Sequence, residues 1–254
     1  MPKPSDGRVR PKSTVLRYLL AALLAVALYA AGLVSYPLLF SSRESQLQGP
    51  LTQLQQQLAQ LKELLNPMPR GVEKVNIEVS PDGDPQLGLA DAPIALIEFS
   101  DFQCPYCKQF NEQTLPQLLK LYVETGRMRF YYRDFPLPFH ANAQLAAEAA
   151  ECANEQAAYW AMQDRLFRNQ AEWAENPQAY DLFRLYAEAL GLDGTRFAEC
   201  LVSQRYTDEV NQDYQDGLAY GVNATPTFFI NGYKLVGAQS LEVFQWVIET
   251  ELKP

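Results

Sequence analysis

The sequence predicts an α/β domain with an all-helical insertion, preceded by a transmembrane helix and a short coiled-coil stalk. Two observations place the α/β domain at residues 72–254. The apolar run Ile94–Phe99 leads through a polar turn into a helix that opens on Cys-Pro-Tyr-Cys at residues 104–107. A strand at Met128–Tyr132 follows this helix, which is the order of a right-handed βαβ unit. The motif then lies at the carboxyl end of a strand, where α/β sheets place their functional sites.

Residues 18–42 form the predicted membrane anchor, since they carry no charge and about 20 apolar residues span a bilayer. Five basic residues and one acidic residue precede them. The positive-inside rule therefore places residues 1–17 in the cytoplasm. This predicts a single-pass protein of the cytoplasmic or inner membrane, with its catalytic domain on the periplasmic or other extracytoplasmic side. A cleaved signal peptide is the alternative, but its candidate cleavage site, Ala25-Val26-Ala27, lies in mid-run, which favours an uncleaved anchor.

Residues 43–71 form the predicted helical stalk and linker, because six leucines repeat at alternating intervals of four and three. They are Leu47, Leu51, Leu54, Leu58, Leu61 and Leu65. This is the heptad spacing of a coiled coil. The stalk is either a homo-oligomer that joins two or three catalytic domains or a single amphipathic spacer helix. Both readings stay open, because three heptads are only marginally stable alone.

Charge and cysteine content narrow the class of function. The formal net charge is −9, and the basic residues after the membrane segment are not clustered, which argues against a nucleic-acid partner. The chain contains four cysteines, and in an exported protein these indicate disulfide chemistry. We expect no cofactor.

The first strands set the frame for the motif. Val75–Val79 alternates and predicts a short strand, and the turn cluster Pro81–Pro85 follows it. The main strand contains one carboxylate, Glu98, which lies either on the exposed side of an edge strand or beneath the cysteine pair. In the buried position desolvation would raise its pKa, and it would relay the proton of Cys107. The apolar run is typical of a strand buried on both faces, which favours the buried acid.

The cysteine motif has the outline of a redox site. Cys104 and Cys107 lie on one face of the first helical turn, close enough to form a disulfide. The helix N-terminus favours the thiolate at Cys104, and Pro105 suits the first helical position. Cys107 is one turn further in, where it would act as the resolving thiol.

A metal site is the alternative reading of the same motif. A structural zinc site needs four ligands, and the chain offers only Cys152, Cys200 and His140, all singly placed. We therefore predict no metal. His140, the only histidine, precedes the first insertion helix, and we expect it to be exposed there. A catalytic role for it would require proximity to the cysteines, which the sequence does not show.

The insertion covers about residues 140–220. Its apolar spacing predicts helices at 141–154, 156–170, 178–190, 195–203 and 206–220. Cys152 and Cys200 each fall on the apolar side of such a helix. In an exported protein they favour a structural disulfide over two buried free thiols.

The sheet resumes after the insertion. Strands at Thr227–Ile230 and Tyr233–Val236 flank an Asn-Gly pair, a strong hairpin signal, and a final helix runs from Leu241 to Leu252. Pro226 follows Thr225 at the head of the first of these strands. The Thr225–Pro226 bond is therefore a candidate cis peptide, with an ordinary trans proline at an edge strand as the alternative.

Residues 72–252 resemble the thioredoxin superfamily, and most closely its DsbA-type exported thiol-disulfide oxidoreductases, including membrane-anchored forms. Cys-Pro-Tyr-Cys after a strand, Thr-Pro-Thr-Phe-Phe-Ile-Asn-Gly and the helical block between them carry the resemblance. It implies a thioredoxin fold with Cys104 as the exposed nucleophile and Cys107 as the resolving cysteine. It also implies that Glu98 is the buried acid under the disulfide and that Thr225 and Pro226 form the cis-proline loop facing it.

One residue departs from the DsbA pattern: Tyr106 stands where DsbA carries histidine. Loss of a helix-terminal imidazolium should raise the Cys104 pKa and make the disulfide less oxidising.

The resemblance implies an enzyme that introduces disulfides into unfolded or reduced exported proteins, with a quinone-linked oxidase in the membrane as its redox partner. The alternative within the same chemistry is a disulfide isomerase or reductase kept reduced by a membrane electron donor, which the leucine stalk would suit. A non-redox chaperone or metal-assembly module is a third reading. Such a module would bind its substrate without Cys107.

Overall fold

The computed structural model describes residues 20–29, 48–58, 61 and 67–253. The chain divides into two compact units, residues 1–68 and 69–254. In the first unit, residues 20–29 and 48–58 are helical. Within the described ranges, no helix is long and apolar enough to cross a membrane. Most of the predicted anchor at 18–42 lies outside the described residues, as do Leu47 and Leu65 of the stalk.

The second unit is built on one mixed sheet. Among its described residues the strands are β1 (Val72–Lys74), β2 (Gln86–Leu87), β3 (Ile94–Ser100), β4 (Met128–Asp134), β5 (Thr227–Ile230) and β6 (Tyr233–Val236). Their order across the sheet is β1-β6-β5-β3-β4-β2. Strands β3 and β4 pair in parallel, and the other neighbours pair antiparallel. The predicted α/β fold is confirmed, with β3 in the interior of the sheet.

Strand β3 is buried on both faces, as its apolar run predicts. Ile94 and Leu96 belong to the larger core, which includes the helix that follows β3 and the C-terminal helix. Ile97 and Phe99 point to the opposite face and join a smaller core with Phe229. The period-2 alternation therefore divides one strand between two cores.

The predicted strand Val75–Val79 is wrong, because the strand lies earlier, at Val72–Lys74. Strand β1 pairs only with β6, and Lys74 lies opposite Tyr233, the first residue of β6. Beyond that register the Val75 amide bonds the carbonyl of Gly232 in the hairpin turn. No further backbone of β6 remains to pair with, so the alternating sequence does not extend the strand.

The helices of the second unit cover the larger core. They are α1 (Pro105–Gln109), α2 (Leu115–Leu118), α3 (Ala143–Asn154), α4 (Tyr159–Arg168), α5 (Gln170–Trp173), α6 (Ala179–Ala189), α7 (Gly194–Val202), α8 (Thr207–Ala219) and α9 (Leu241–Glu251). Helices α3 to α8 lie between β4 and β5 in the chain, at the position of the predicted insertion. The predicted helix at 156–170 is two helices, α4 and α5, with Asn169 between them.

The helix after the cysteine motif is not uniformly α. Wider π turns follow α1 at Phe110–Thr114 and α2 at Leu119–Val123. In the first of them the Leu115 amide bonds the carbonyl of Phe110, five residues back. Pro116 has no N–H to continue the α pattern, and the wider turn at that point is a common form of helix adjustment.

Cys152 in α3 and Cys200 in α7 form a disulfide. Their Cα atoms are 5.8 Å apart and both residues are buried in the larger core. The bond joins two insertion helices across 48 residues of sequence. Closing a loop of that length reduces the entropy of the unfolded chain.

We predict that Cys152→Ala/Cys200→Ala lowers the free energy of unfolding by about 4 kcal/mol, from the loop-closure relation for a loop of this length. Urea unfolding at equilibrium measures it. Each single variant serves as a control, because either substitution breaks the bond and should destabilise the protein to a similar degree. An unfolding midpoint unchanged from wild type would contradict the prediction.

Candidate redox site

The cysteine motif lies where β3 ends and the next helix begins. Strand β3 ends at Ser100 and α1 begins at Pro105, so Cys104 is the N-cap residue. Pro105 stands at the first helical position, where a missing N–H costs nothing. The Lys108 amide bonds the Cys104 carbonyl at 3.1 Å. Both cysteines are free thiols in this structure.

Cys104 is buried, with only 4 % of its surface exposed. This corrects the expectation of an exposed nucleophile. The cause is the loop before β5: the Cys104 thiol donates to the Thr225 carbonyl oxygen at 3.3 Å, and the Thr225–Pro226 peptide bond is cis. The motif is open to solvent at Tyr106, whose surface is 61 % exposed.

The two thiols have opposite electrostatic environments. A hydrogen bond from the Cys107 thiol lowers the pKa of Cys104 to about 6. The Thr225 side chain and the backbone N–H groups of Tyr106 and Cys107 add to this effect, and burial opposes it. Burial raises the pKa of Cys107 above its ordinary value, and the neighbouring Cys104 raises it further. The pair therefore consists of one thiol that ionises readily and one that keeps its proton.

Glu98 lies beneath the pair on β3. It is 2 % exposed and belongs to an interior strand, between β4 and β5, so the edge-strand reading is wrong. Burial raises the pKa of Glu98 to about 8, and the negative charge of Cys104 also raises it. A hydrogen bond from the Ser100 hydroxyl acts in the opposite direction. A carboxyl group with that pKa is able to exchange a proton near neutral pH.

Asp101 organises the turn before the motif, and the sequence reasoning missed it. One carboxylate oxygen accepts from the Gln103 amide at 2.7 Å, as in an Asx turn, and the other accepts from the Leu137 amide at 2.8 Å. The second oxygen also lies 2.7 Å from His140 Nδ1. His140 is therefore partly buried against Asp101 and not exposed as expected. The sequence does contain a signal for this role: Asp101 directly follows the strand, and an aspartate at the start of a turn often accepts a hydrogen bond from the backbone amide two residues later.

The insertion is tied to the same turn. The Gln170 side chain donates to the carbonyls of Phe102 and Cys104, at 2.8 and 3.1 Å. The Asn142 amide donates to the Gln103 side-chain oxygen at 2.9 Å. Helices far along the chain thus fix the backbone that presents Cys104.

A buried arginine attaches the other end of the insertion to the sheet. Arg133 of β4 has no exposed side-chain surface and pairs with Asp213 of α8, with Asp84 at 2.9 Å and with Asp216 at 2.9 Å. The Asp213 carboxylate also accepts from the Asp134 amide at 2.8 Å. A buried charge requires such partners. No local pattern predicts this cluster, because its members come from separate parts of the chain.

Together, the fold and these residues define a dithiol site on a thioredoxin-type sheet. The thioredoxin family model, described as Thioredoxin, matches residues 80–250. The chain therefore belongs to the thioredoxin superfamily, and among its members to the DsbA type, as the solved structures below show.

The relatives fall into two groups. The chain is 27% identical to Disulfide bond formation protein D of Bacillus subtilis, over 74% of this chain and 86% of that protein. It is 39% identical to Na(+)/H(+) antiporter NhaA 3 of Salinispora tropica, over 68% of this chain and 25% of the antiporter. The chain spans about a quarter of the length of the antiporters it matches.

Solved structures of BdbD and of a DsbA protein are similar to this chain. The oxidised form of BdbD from Bacillus subtilis superposes with a TM-score of 0.65 at 26% identity, covering 72% of this chain and all of that chain. The alpha-DsbA1 of Wolbachia pipientis superposes with a TM-score of 0.62 at 26% identity, covering 68% of this chain and 92% of that chain.

We predict that Cys107→Ala raises the pKa of Cys104 by at least about one unit, because it removes the hydrogen bond that contributes most to the low value. The pH dependence of Cys104 alkylation in the reduced protein measures it. Cys107→Ser is the matched control, since its hydroxyl still donates and should retain more of the depression. Equal pKa values in the two variants would show that the bond is not the cause.

Proposed function

We propose that this chain is a thiol-disulfide oxidoreductase that introduces disulfides into exported proteins through the Cys104–Cys107 pair. The observation that carries the proposal is the difference between the two thiols. Cys104 has a pKa of about 6 at a helix N-terminus, and Cys107 is fully buried with a raised pKa. In disulfide exchange the thiol with the lower pKa is the better leaving group. The low pKa therefore marks Cys104 as the sulfur that leaves when the substrate disulfide forms.

The reaction starts from the Cys104–Cys107 disulfide. A substrate thiolate attacks Cys104 Sγ, the Cys104–Cys107 bond breaks, and Cys107 leaves as a thiolate that takes up one proton. A second substrate thiolate then attacks the substrate sulfur of the mixed disulfide and releases the Cys104 thiolate. The substrate gains one disulfide and loses two electrons, which the dithiol holds until an oxidant removes them.

The electrostatics favour this direction of electron flow. Every interaction that stabilises the Cys104 thiolate stabilises the reduced protein and so makes the disulfide a stronger oxidant. Tyr106 supplies no imidazolium, but the Cys107 thiol and the Thr225 side chain lower the Cys104 pKa in its place. The relatives named Disulfide bond formation protein D support an oxidant over a reductase or isomerase.

The loop at Thr225 and Pro226 is the proposed substrate contact. The Thr225 carbonyl lies 3.3 Å from Cys104 Sγ, so a peptide bound along this loop brings its cysteine to the nucleophile. Recognition through backbone groups would accept many sequences, which suits unfolded or reduced exported proteins.

The N-terminal part of the chain supports the location we propose. The uncharged residues 18–42, after a basic N-terminus, favour a single-pass anchor in the cytoplasmic membrane with residues 72–254 on the extracytoplasmic side. The redox partner would then be a membrane protein, such as a quinone-linked oxidase. The leucine repeat of residues 43–71 would join catalytic domains as a homo-oligomer. Because the chain spans about a quarter of the antiporters, we propose no transport activity for it.

The role of Cys104 is tested with a reduced two-cysteine peptide and the oxidised full chain. Cys104→Ser should reduce peptide oxidation to the uncatalysed rate, because no redox disulfide forms. Reduced Cys107→Ser, mixed with the oxidised peptide, should form a lasting mixed disulfide at Cys104, seen by mass spectrometry. Cys152→Ala/Cys200→Ala is the control and should keep the reaction. Full activity of Cys104→Ser, or a mixed disulfide at Cys107 in the wild type, would refute the assignment.

A further inference from the structure

Cys107 requires a proton route that the two cysteines do not supply. Its thiol has no exposed surface, and its pKa is raised by burial and by Cys104. In the structure the Asp101 amide approaches its Sγ at 3.5 Å, but a backbone amide does not exchange protons during turnover. When the disulfide closes, the Cys107 proton must pass to a side chain inside the site.

Ser100 is placed to receive that proton. It is the last residue of β3, 1 % exposed, and two residues after Glu98, so both side chains point to the same face of the strand. Its hydroxyl donates to Glu98 Oε1 at 2.8 Å.

The end of β3 lies beside the Cys107 sulfur, since the amide of the next residue, Asp101, is 3.5 Å from Cys107 Sγ. There the Ser100 hydroxyl favours the Cys107 thiolate and opposes the effect of burial on the Cys107 pKa. In the mixed disulfide Cys104 is no longer a thiolate, so it does not accept from Cys107. A hydroxyl has one proton and two lone pairs, so Ser100 is then able to accept from Cys107 while it donates to Glu98.

The groups around Glu98 leave few other routes. The groups that face it and titrate are Cys104 and Cys107 from the helix and Tyr132 from β4, its partner in the parallel register. On the other side β5 presents Phe228, which does not titrate. The Tyr132 hydroxyl has no hydrogen-bond partner in the structure, so it does not link Cys107 to Glu98 as the Ser100 hydroxyl does.

We propose that the Ser100 hydroxyl is the proton relay between Cys107 and Glu98. The proposal rests on the proposed thiol-disulfide function. During closure Cys107 Sγ attacks Cys104 Sγ of a mixed disulfide, the bond from Cys104 to the partner sulfur breaks, and the partner leaves as a thiolate. The Cys107 proton moves to Ser100 Oγ while the Ser100 proton moves to Glu98, which becomes a neutral acid. In the opening reaction the same protons move back.

The test separates closure from the first attack. The reduced full chain is mixed with oxidised glutathione, quenched in acid at successive times, and analysed by mass spectrometry for the glutathione mixed disulfide at Cys104. We expect Ser100→Ala and Glu98→Gln to form the mixed disulfide at the wild-type rate. Both should then close roughly 10²-fold more slowly, which is the low end of general acid–base catalysis.

Two further readouts distinguish a relay from a structural role. Ser100→Ala/Glu98→Gln should close no more slowly than the slower single variant, because the two groups act in series. Wild-type closure should accelerate as the pH rises through about 8, where Glu98 becomes an acceptor, and this step should be absent in both single variants. Tyr159→Phe is the control, since it removes a buried hydroxyl in α4 that makes no hydrogen bond, and it should close at the wild-type rate.

The outcomes separate the two proposals. Wild-type closure rates in Ser100→Ala, or effects of the two substitutions that multiply in the double variant, would overturn the relay and leave the oxidoreductase function standing. Failure of the wild type to form a mixed disulfide at Cys104 would overturn the function itself, and the relay with it.

Discussion

The difference in pKa between two neighbouring sulfur atoms is the constraint on which the site depends. Both sulfurs are buried, but Cys104 lies at the helix N-terminus and Cys107 lies one helical turn further in. The Cys107 thiol keeps its proton and donates it in a hydrogen bond, which stabilises the Cys104 thiolate. A site of this kind needs a strand that ends directly beneath the helix N-terminus, and β3 supplies it. The same strand places Glu98 and Ser100 under the sulfurs, in a medium where a carboxyl group titrates near neutral pH.

The helical insertion has a structural function at this site. Gln170 and Asn142 hold the backbone between β3 and α1 from one side. On the other side, Arg133 holds α8 against β4 through several carboxylates. The Cys152–Cys200 disulfide joins α3 to α7 and keeps the insertion together. The two cysteines are thus fixed in place by residues outside the motif, which is how a thiolate is held in one orientation.

Much of this could be predicted from the sequence, and the failures have physical causes. The motif at 104–107, the βαβ order and the Thr225–Pro226 loop are local patterns, so they identify the fold and the family. Glu98 was a candidate because a lone carboxylate in an apolar run has few explanations. Contacts between residues remote in sequence were out of reach, as His140 shows.

The same limit applies to Cys104, whose burial depends on a carbonyl 121 residues away. It applies also to the extent of β1, because strand length depends on the partner strand and not on alternation alone.

The central claim is that stabilisation of the Cys104 thiolate makes this pair a disulfide donor. The most direct test is the reduction potential of Cys104–Cys107 in the full chain, equilibrated in glutathione redox buffers and read from alkylation of these two cysteines by mass spectrometry. The account predicts a potential more positive than roughly −180 mV. A potential near or below roughly −230 mV would contradict it, because the pair would then hold its own disulfide and serve better as a reductase.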